Sequence, residues 1–348
     1  MRGIKNFLIF MMVMVCLMCT PMGVFASNSS NNKSGIIETD DFTIKVVCGI
    51  QGNYKVGAAI PVYIDIESKS GDFSGIVRLI DQGSTTYNLE ATAYEKEILL
   101  NQNSPKRVTL SAYGGATSNK FIFQLENDKG KLLIEEGVKI ASKANQNALV
   151  GVLSEDYTAF NYMDKIPFNL KNYDGQTQLV ELNEEDIPEH FSGMEALSYL
   201  IIDKFDTSKL TKEQIGAVTD WISNGGVLIV SGGSDCKQTL SGLSDVISLK
   251  NVKNEKNEIS IVSKEQDEKK DILTFVEDGS LVALEIDGAE SLTGVISKSE
   301  LIKNINYNKG HIVVTGFNLG MEPVISWDKR SKFAKSLFEQ SAKGYSSV

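Results

Sequence analysis

Hydrophobic and polar positions along the chain fall into two regimes with different periods. From Phe42 onward, short alternating segments dominate: FTIKVVCGI, IPVYIDIES, GIVRLID, RVTLSAY, KFIFQLEN and KLLIEEGVKI, separated by Gly, Asn, Ser and Asp clusters. Val62, Ile64 and Ile66 alternate with Tyr63, Asp65 and Glu67; Phe121, Phe123 and Leu125 alternate with Ile122, Gln124 and Glu126. One face inward and one outward, repeated about seven times over roughly 100 residues, predicts an antiparallel β-sandwich over residues 42–143. A polar connector, ASKANQ, closes this regime.

The second regime is organised around residues 196–236. Leu197 and Tyr199 to Ile202 form a near-continuous apolar run, the mark of a strand covered on both faces. Thr211 and Gln214 have the spacing of a capping box at a helix start. Ile215, Val218, Trp221 and Ile222 follow at helical spacing, Asn224-Gly225-Gly226 stops the helix, and Val227 to Val230 re-enter the sheet. The stretch is therefore a βαβ unit. Ala148 to Leu153 and Gln178 to Leu182 add two strands before it, with a short helix carrying Phe160 and Met163 between them. Gly310 to Phe317 adds a fifth strand, and Asp328 to Gln340 a closing helix with Phe333, Leu337 and Phe338 inward. Between strands four and five lies an insertion, Leu240 to Asn308, with short strands expected at Glu258 to Val262, Ser280 to Ile286 and Thr293 to Ser297 and a solvated loop, KEQDEKKD. The fold class read from this pattern is mixed: an N-terminal antiparallel β-sandwich, then an α/β doubly wound, flavodoxin-like parallel-sheet domain over residues 148–341 with a β-rich insertion at 240–308.

The first residues change the picture of where such a protein works. Arg2 and Lys5 precede an uncharged apolar run from Phe7 to Met18, and Val24-Phe25-Ala26 places small residues where a signal peptidase reads. Residues 1–26 are read as an export signal, with cleavage after Ala26. The apolar run is short for an uncleaved anchor, and Val15 and Met18 before Cys16 and Cys19 do not suit a lipoprotein signal. Residues 27–41 are polar and are read as a flexible lead-in. The whole chain holds 35 Lys and Arg against 45 Asp and Glu; without Arg2 and Lys5 the net charge is about −12. That acidity argues against nucleic acid as a partner, because phosphates need a basic surface. Of four cysteines only Cys48 and Cys236 remain after the leader, which is no disulfide framework and fits buried thiols.

The segments GVLSED, YLIIDKFDTSKLT, WISNGGVLIVSGG and GHIVVTGF, spread over residues 148–341, are similar to class I glutamine amidotransferase-like domains. More closely they resemble the non-catalytic versions in bacterial envelope proteins, which follow a β-sandwich and often precede membrane helices. The preceding strand pattern resembles immunoglobulin-like modules. In catalytic relatives a Cys occupies the elbow Gly-x-Cys-x-Gly, with His and Glu further on. Here the matching stretch is Ile229-Val230-Ser231-Gly232-Gly233, so Ser231 holds the nucleophile position, Ile229 replaces the first Gly, and Cys236 comes five residues late. The two histidines, His190 and His311, both fall at the amino end of the sheet. A strand of five or six residues would keep them ~17–20 Å from the elbow, and a general base must lie within about 3 Å of the proton it takes.

In open α/β sheets ligands sit beyond the carboxyl ends of the strands. The candidate ligand pocket read there comprises Glu155, Asp156, Asp203, Asp206, Ser231, Gly232, Gly233, Asp235 and Asn318. Such oxygens suit a cation or sugar hydroxyls, and equally serve as helix caps and turn formers. No cofactor is expected: Ser231-Gly232-Gly233 lacks the Lys and Ser/Thr of a phosphate loop, and no Cys/His set has zinc spacing. The closing helix carries Lys329, Arg330, Lys332 and Lys335, with Lys343 beyond; these complement a helix dipole or face a membrane, as in the similar chains. The expectation is an exported, secreted or envelope-associated, non-catalytic module that binds an envelope protein or glycan. The competing reading is a hydrolase or amidotransferase-like enzyme using Ser231 or a metal at the acidic cluster.

Overall fold

The computed structural model describes residues 35–55, 57–83, 90–113, 120–140, 147–170, 173–233, 235–255, 258–260, 272–275 and 280–342. The expected leader, most of the lead-in, the connector, the charged loop 264–271 and Lys343 onward lie outside them. Among the described residues no helix is long and apolar enough to cross a membrane.

Eight strands make the first part: β1 (Gly35–Glu38), β2 (Phe42–Cys48), β3 (Ile60–Ser68), β4 (Phe73–Asp81), β5 (Thr92–Leu100), β6 (Lys106–Ala112), β7 (Lys120–Asn127) and β8 (Leu132–Lys139). They form two antiparallel sheets, ordered β1-β2-β3-β6 and β5-β4-β7-β8. Alternation puts every second side chain inward: Ile44, Val46, Ile64 and Ile66 of one sheet meet Val77, Leu79, Phe121, Phe123 and Leu125 of the other in one core. Each such side chain contributes about 1.5–3 kcal/mol on burial. Two strands depart from the sequence reading. β1 lies inside the expected flexible lead-in; it pairs Gly35 to Glu38 with Val46 to Thr43, and only Ile37 leans on the core. β5, TAYEKEILL, is an edge strand that buries just Ile98 and Leu100 and carries Glu95, Lys96 and Glu97 outward. Edge strands of this kind are charged because an apolar free edge invites aggregation.

The second part contains β9 (Ala148–Ser154), β10 (Pro167–Leu170), β11 (Tyr173–Leu182), β12 (Leu197–Asp203), β13 (Val227–Val230), β14 (Leu249–Asn254), β15 (Glu258–Ser260), β16 (Ile272–Thr274), β17 (Val282–Ile286), β18 (Glu290–Ser291), β19 (Ile302–Tyr307) and β20 (Gly310–Thr315). Its two long helices are α1 (Lys212–Ser223) and α2 (Arg330–Ser341). Lys329, Arg330 and Lys332 stand at the amino end of α2 and its last turn carries no basic residue, so they do not complement its dipole as expected, because cations are favoured at the carboxyl end. Five strands run parallel, in the spatial order β11-β9-β12-β13-β20, with β10 antiparallel at one edge and β19 and β18 at the other. The helix start is as read: Thr211 Oγ1 accepts from the Gln214 N–H at 3.1 Å, and Gln214 Oε1 accepts from the Thr211 N–H at 2.9 Å. The expected short helix is a 3-10 turn, Tyr157–Met163, with Phe160 and Met163 buried. The strand expected at Thr293 to Ser297 is not formed among the described elements; Val295 lies in a bend and Ile296 in an isolated bridge, and both pack in the same core as α2. The insertion's real contribution is β18 and β19, which widen the main sheet.

One core lies on each face of this sheet. α2, the 3-10 turn and part of the insertion cover one face. α1 covers part of the other, where Ile50, from the loop joining β2 to β3, joins Leu149, Val180, Leu182, Leu197 and Leu200. Around Ile50 the two parts are bonded together. Gln51 Nε2 donates to the Glu181 carbonyl at 2.6 Å, the Ala59 N–H to Glu195 Oε2 at 2.9 Å, and the Tyr63 hydroxyl to the Asp186 carbonyl at 2.9 Å. Lys33–Val348 accordingly form one compact unit.

Ile50→Ala should cost about 2–5 kcal/mol and lower the unfolding midpoint seen by tryptophan fluorescence, since Trp221 and Trp327 both lie in the second part. Coincident fluorescence and circular-dichroism transitions are expected; a tryptophan transition unmoved by the substitution contradicts the shared core. Lys55, half-buried at this junction with its Nζ donating to Ser198 Oγ at 2.9 Å, has its pKa lowered by burial to about 8. The native state then binds fewer protons than the unfolded state between that value and about 10.4, so stability from this group rises with pH across the window. Comparison of denaturant midpoints should show that rise in the wild type and its loss in Lys55→Met.

Candidate functional site

Three strand ends meet at the carboxyl edge of the parallel sheet. Asp203 ends β12, Ser231-Gly232-Gly233 follows β13, and Asn318 follows β20. All three polar side chains are buried, Asp203 to 1 % exposure and Ser231 to 0 %. The chain's own loop fills the space between them. The Leu319 N–H donates to Ser231 Oγ at 2.6 Å, Asn318 Nδ2 reaches Asp203 Oδ1 at 3.5 Å, and the Gly232 N–H donates to Thr315 Oγ1 at 3.3 Å. Thr315 Oγ1 in turn donates to the Phe317 carbonyl at 2.7 Å. A Cβ on Gly232 would stand 1.9 Å from the Thr315 carbonyl oxygen, and one on Gly233 2.1 Å from Asn318 Oδ1. Here the glycines admit the loop after β20.

The electrostatics follow from burial. Desolvation raises the Asp203 carboxyl above its ordinary value, while hydrogen bonds from Ser231, Asn318 and the Gly320 and Leu319 amides pull the other way. Tyr162 donates its hydroxyl to the Leu319 carbonyl at 3.0 Å. Burial and then the Asp203 charge push its phenol well up, against a smaller opposing effect of Arg330.

The remaining expected residues are not gathered with this knot. Glu155 is exposed. Asp156 is exposed and accepts from Thr158 Oγ1 at 2.7 Å, which holds its carboxyl below the usual range. Asp206 caps the turn Thr207–Lys209, accepting from the Ser208 N–H and from the Ser208 and Ser241 hydroxyls. Asp235 precedes the one-turn helix Cys236–Thr239 without a side-chain capping bond. Among the described residues, no three His, Cys, Asp or Glu side chains are placed to hold a metal ion. His311 pairs across the sheet with Val227, four residues before Ser231, a separation of about 13 Å along the strand. His190 precedes the turn Phe191–Met194 that leads into β12. Cys48 and Cys236 are free, buried thiols; burial pushes Cys48 up to about 12 and raises Cys236 as well.

A second feature at the same end of the sheet is open. The turn Asn183-Glu184-Glu185-Asp186 after β11, Phe205 after β12 and Arg107 of β6 line a groove of about 580 Å³. Arg107 Nε and Nη2 donate to the two Asp65 oxygens at 2.6 and 3.1 Å, and its Nη1 to Asp186 Oδ1 at 2.9 Å. The guanidinium also lies over the Tyr63 ring, 5.9 Å from its centroid. The hydrogen bonds to Asp65, outweighing desolvation, and then the charges of Asp65, Asp186 and Glu185 hold its pKa above the already high arginine value. In the sequence Arg107 appears only as the outward member of an alternating strand, and the acidic run as a surface turn.

Residues 41–141 match the model of a domain of unknown function, DUF8726. A comparison with curated protein sequences gives no match. Among solved structures, the chain is similar to a cytoplasmic protein of Salmonella typhimurium LT2, STM1381, at TM-score 0.39 and 9 % identity, covering 56 % of this chain and 99 % of that one. It is similar also to an exo-beta-1,4-mannosidase from Opitutaceae bacterium strain TAV5, at TM-score 0.34 and 12 % identity, over 55 % of this chain and 35 % of the enzyme. A beta-galactosidase from Bacillus circulans sp. alkalophilus gives TM-score 0.34 and 11 % identity over 56 % and 31 % of the two chains.

Asp203 supplies the test of the knot. A buried carboxyl with a raised pKa keeps its proton longer in the native state than in the unfolded one. Stability from this group is therefore greatest in acid and falls as pH rises through the carboxylate range. Denaturant titrations of wild type and Asp203→Asn should show that fall in the wild type alone; identical pH slopes would mean that Asp203 is not shut away.

Proposed function

We propose that the chain is an exported, non-catalytic envelope protein: an immunoglobulin-like sandwich joined to a glutamine amidotransferase-like domain with flavodoxin-like strand order, acting as a binding module. The parallel-strand order second, first, third, fourth, fifth is the doubly wound order that supports the fold assignment. The leader features Arg2, Lys5, Phe7 to Met18 and Val24-Phe25-Ala26 support export.

The observation that carries the non-catalytic reading is the state of Ser231. Its oxygen accepts the Leu319 N–H at 2.6 Å, its side chain is fully buried, and both histidines stand toward the far end of the sheet. A serine hydroxyl becomes a nucleophile when an adjacent base takes its proton. Here the neighbouring carboxyl, Asp203, is shut away together with the hydroxyl under the loop after β20, so the pair is not presented to a substrate.

Expression of the full chain in a bacterial host should yield a mature protein beginning at Ser27 in the extracytoplasmic fraction, read by mass spectrometry. Ester and amide hydrolysis should not exceed background in either wild type or Ser231→Ala. A cytoplasmic product retaining Met1 removes the export reading, and wild-type hydrolysis lost in Ser231→Ala removes the non-catalytic one.

A further inference from the structure

We propose that the groove between β6 and the carboxyl ends of β11 and β12 binds a neutral oligosaccharide, with Phe205 as its apolar wall and Asn183, Glu184, Glu185 and Arg107 as partners for sugar hydroxyls. The inference rests on the binding-module reading and names the ligand class.

Position comes first. Ligands of open parallel sheets lie beyond the strands' carboxyl ends, at the point where strand order reverses. In this chain that point is between β9 and β12, and the groove lies beside it, lined by residues that follow β11 and β12. The part of the carboxyl edge in front of β13 and β20 is filled by the loop after β20. The end of β12 itself is closed by that loop through Asp203, but beside it a groove stays open between the turn after β11 and Phe205, with Arg107 of β6 as its other wall. The volume, about 580 Å³, falls within the roughly 300–1,000 Å³ of small-molecule sites.

The chemistry of the walls narrows the ligand. A sugar ring offers an apolar C–H face and hydroxyls that both donate and accept. Half-buried Phe205 can pack against the first. The exposed carboxylates of Glu184 and Glu185 accept from hydroxyls, the Asn183 amide does both, and the Arg107 guanidinium donates. Charge removes other classes. Arg107 faces three carboxylates, Asp65, Asp186 and Glu185, and Glu184 adds a fourth, so even with Lys209 over the Phe205 ring the groove is net acidic and repels an anionic polymer. Among the described residues no carboxylate cluster is placed to hold a metal ion.

The walls are also fixed before any ligand arrives. Arg107 is held by Asp65 and Asp186, the Asn183 N–H donates to Asp186 Oδ2 at 3.0 Å, and Gln214 Nε2 donates to the Glu184 and Ile187 carbonyls at 2.8 and 2.9 Å. Groups locked in this way lose little freedom on binding, which favours recognition of a flexible glycan.

The test is calorimetric titration of the mature protein with chitotetraose, cellotetraose and maltotetraose, with tetragalacturonate as an anionic control. At least one neutral oligomer should bind and the anionic one should not. Glu184→Gln, whose exposed side chain leaves the fold undisturbed, and Phe205→Ala should each weaken binding by about tenfold or more, with thermal melts verifying that the variants are folded. Absence of binding by all three neutral oligomers, or binding unaltered in Glu184→Gln, overturns the groove assignment. Because export and hydrolysis are measured separately, such a failure alongside a mature extracytoplasmic protein rejects the glycan ligand alone. A cytoplasmic product would instead reject the envelope role.

Discussion

A parallel sheet has two apolar faces, and neither can be left to water. In this chain that requirement organises the whole molecule. α2 and its neighbours cover one face, but α1 is the only long described helix on the other, and it does not complete the cover. The insertion, through Leu243, Val282 and Leu284, the turns before β12, through Ile187 and Met194, and Ile50, carried on the loop between β2 and β3, join the same cluster as Leu149, Val180, Leu182 and Leu197. The strand-rich first part is thus a wall of the second part's core, and a short polar connector does not make the two independent. The bonds flanking Ile50, from Gln51, Lys55, Ala59 and Tyr63, have a supporting role: each fixes the register of a contact whose driving force is apolar.

The carboxyl edge obeys a second rule, that buried polar groups must be partnered. The turn after β13 brings a serine and two glycines up to the Asp203 carboxyl at the end of β12, a set that elsewhere would suggest chemistry. Here the loop after β20 supplies the partners. With Leu319 bonded to Ser231 and Asn318 to Asp203, the edge is closed by a polar plug of the chain's own residues. Opening it would leave a buried donor or acceptor unmade at a cost of about 1–3 kcal/mol for each.

What the sequence reveals depends on how local the determining interaction is. The unit from Leu197 to Val230 was readable because its signals sit within it: the Thr211–Gln214 box, the helical apolar spacing and the stop at Asn224 and Gly225. β1, β5, β18 and β19 were not, because strands at or next to a sheet edge bury at most two side chains each and leave little periodicity. The grouping of Asp203, Ser231, Gly232, Gly233 and Asn318 followed from their places at strand ends. Closure of that group did not, because Asn318 and Asp203 are 115 residues apart in the chain. The groove was invisible for the same reason: Arg107 and Asp186 are separated by 79 residues, and neither carries a motif.

Arg107 connects these themes. Partly exposed ion pairs are ordinarily worth less than about 1 kcal/mol, so its bonds to Asp65 and Asp186 add little to the stability of a junction already secured by Ile50. Their geometry is another matter. A guanidinium clamped bidentately by Asp65, bonded to Asp186 and lying over Tyr63 has its orientation set on three sides. Arginine suits this place, since its planar fork loses less freedom per bond than a lysine would. The same side chain forms one wall of the open groove. A ligand seated there would touch both parts of the chain at once, and by binding only the native arrangement would stabilise the junction that built its site.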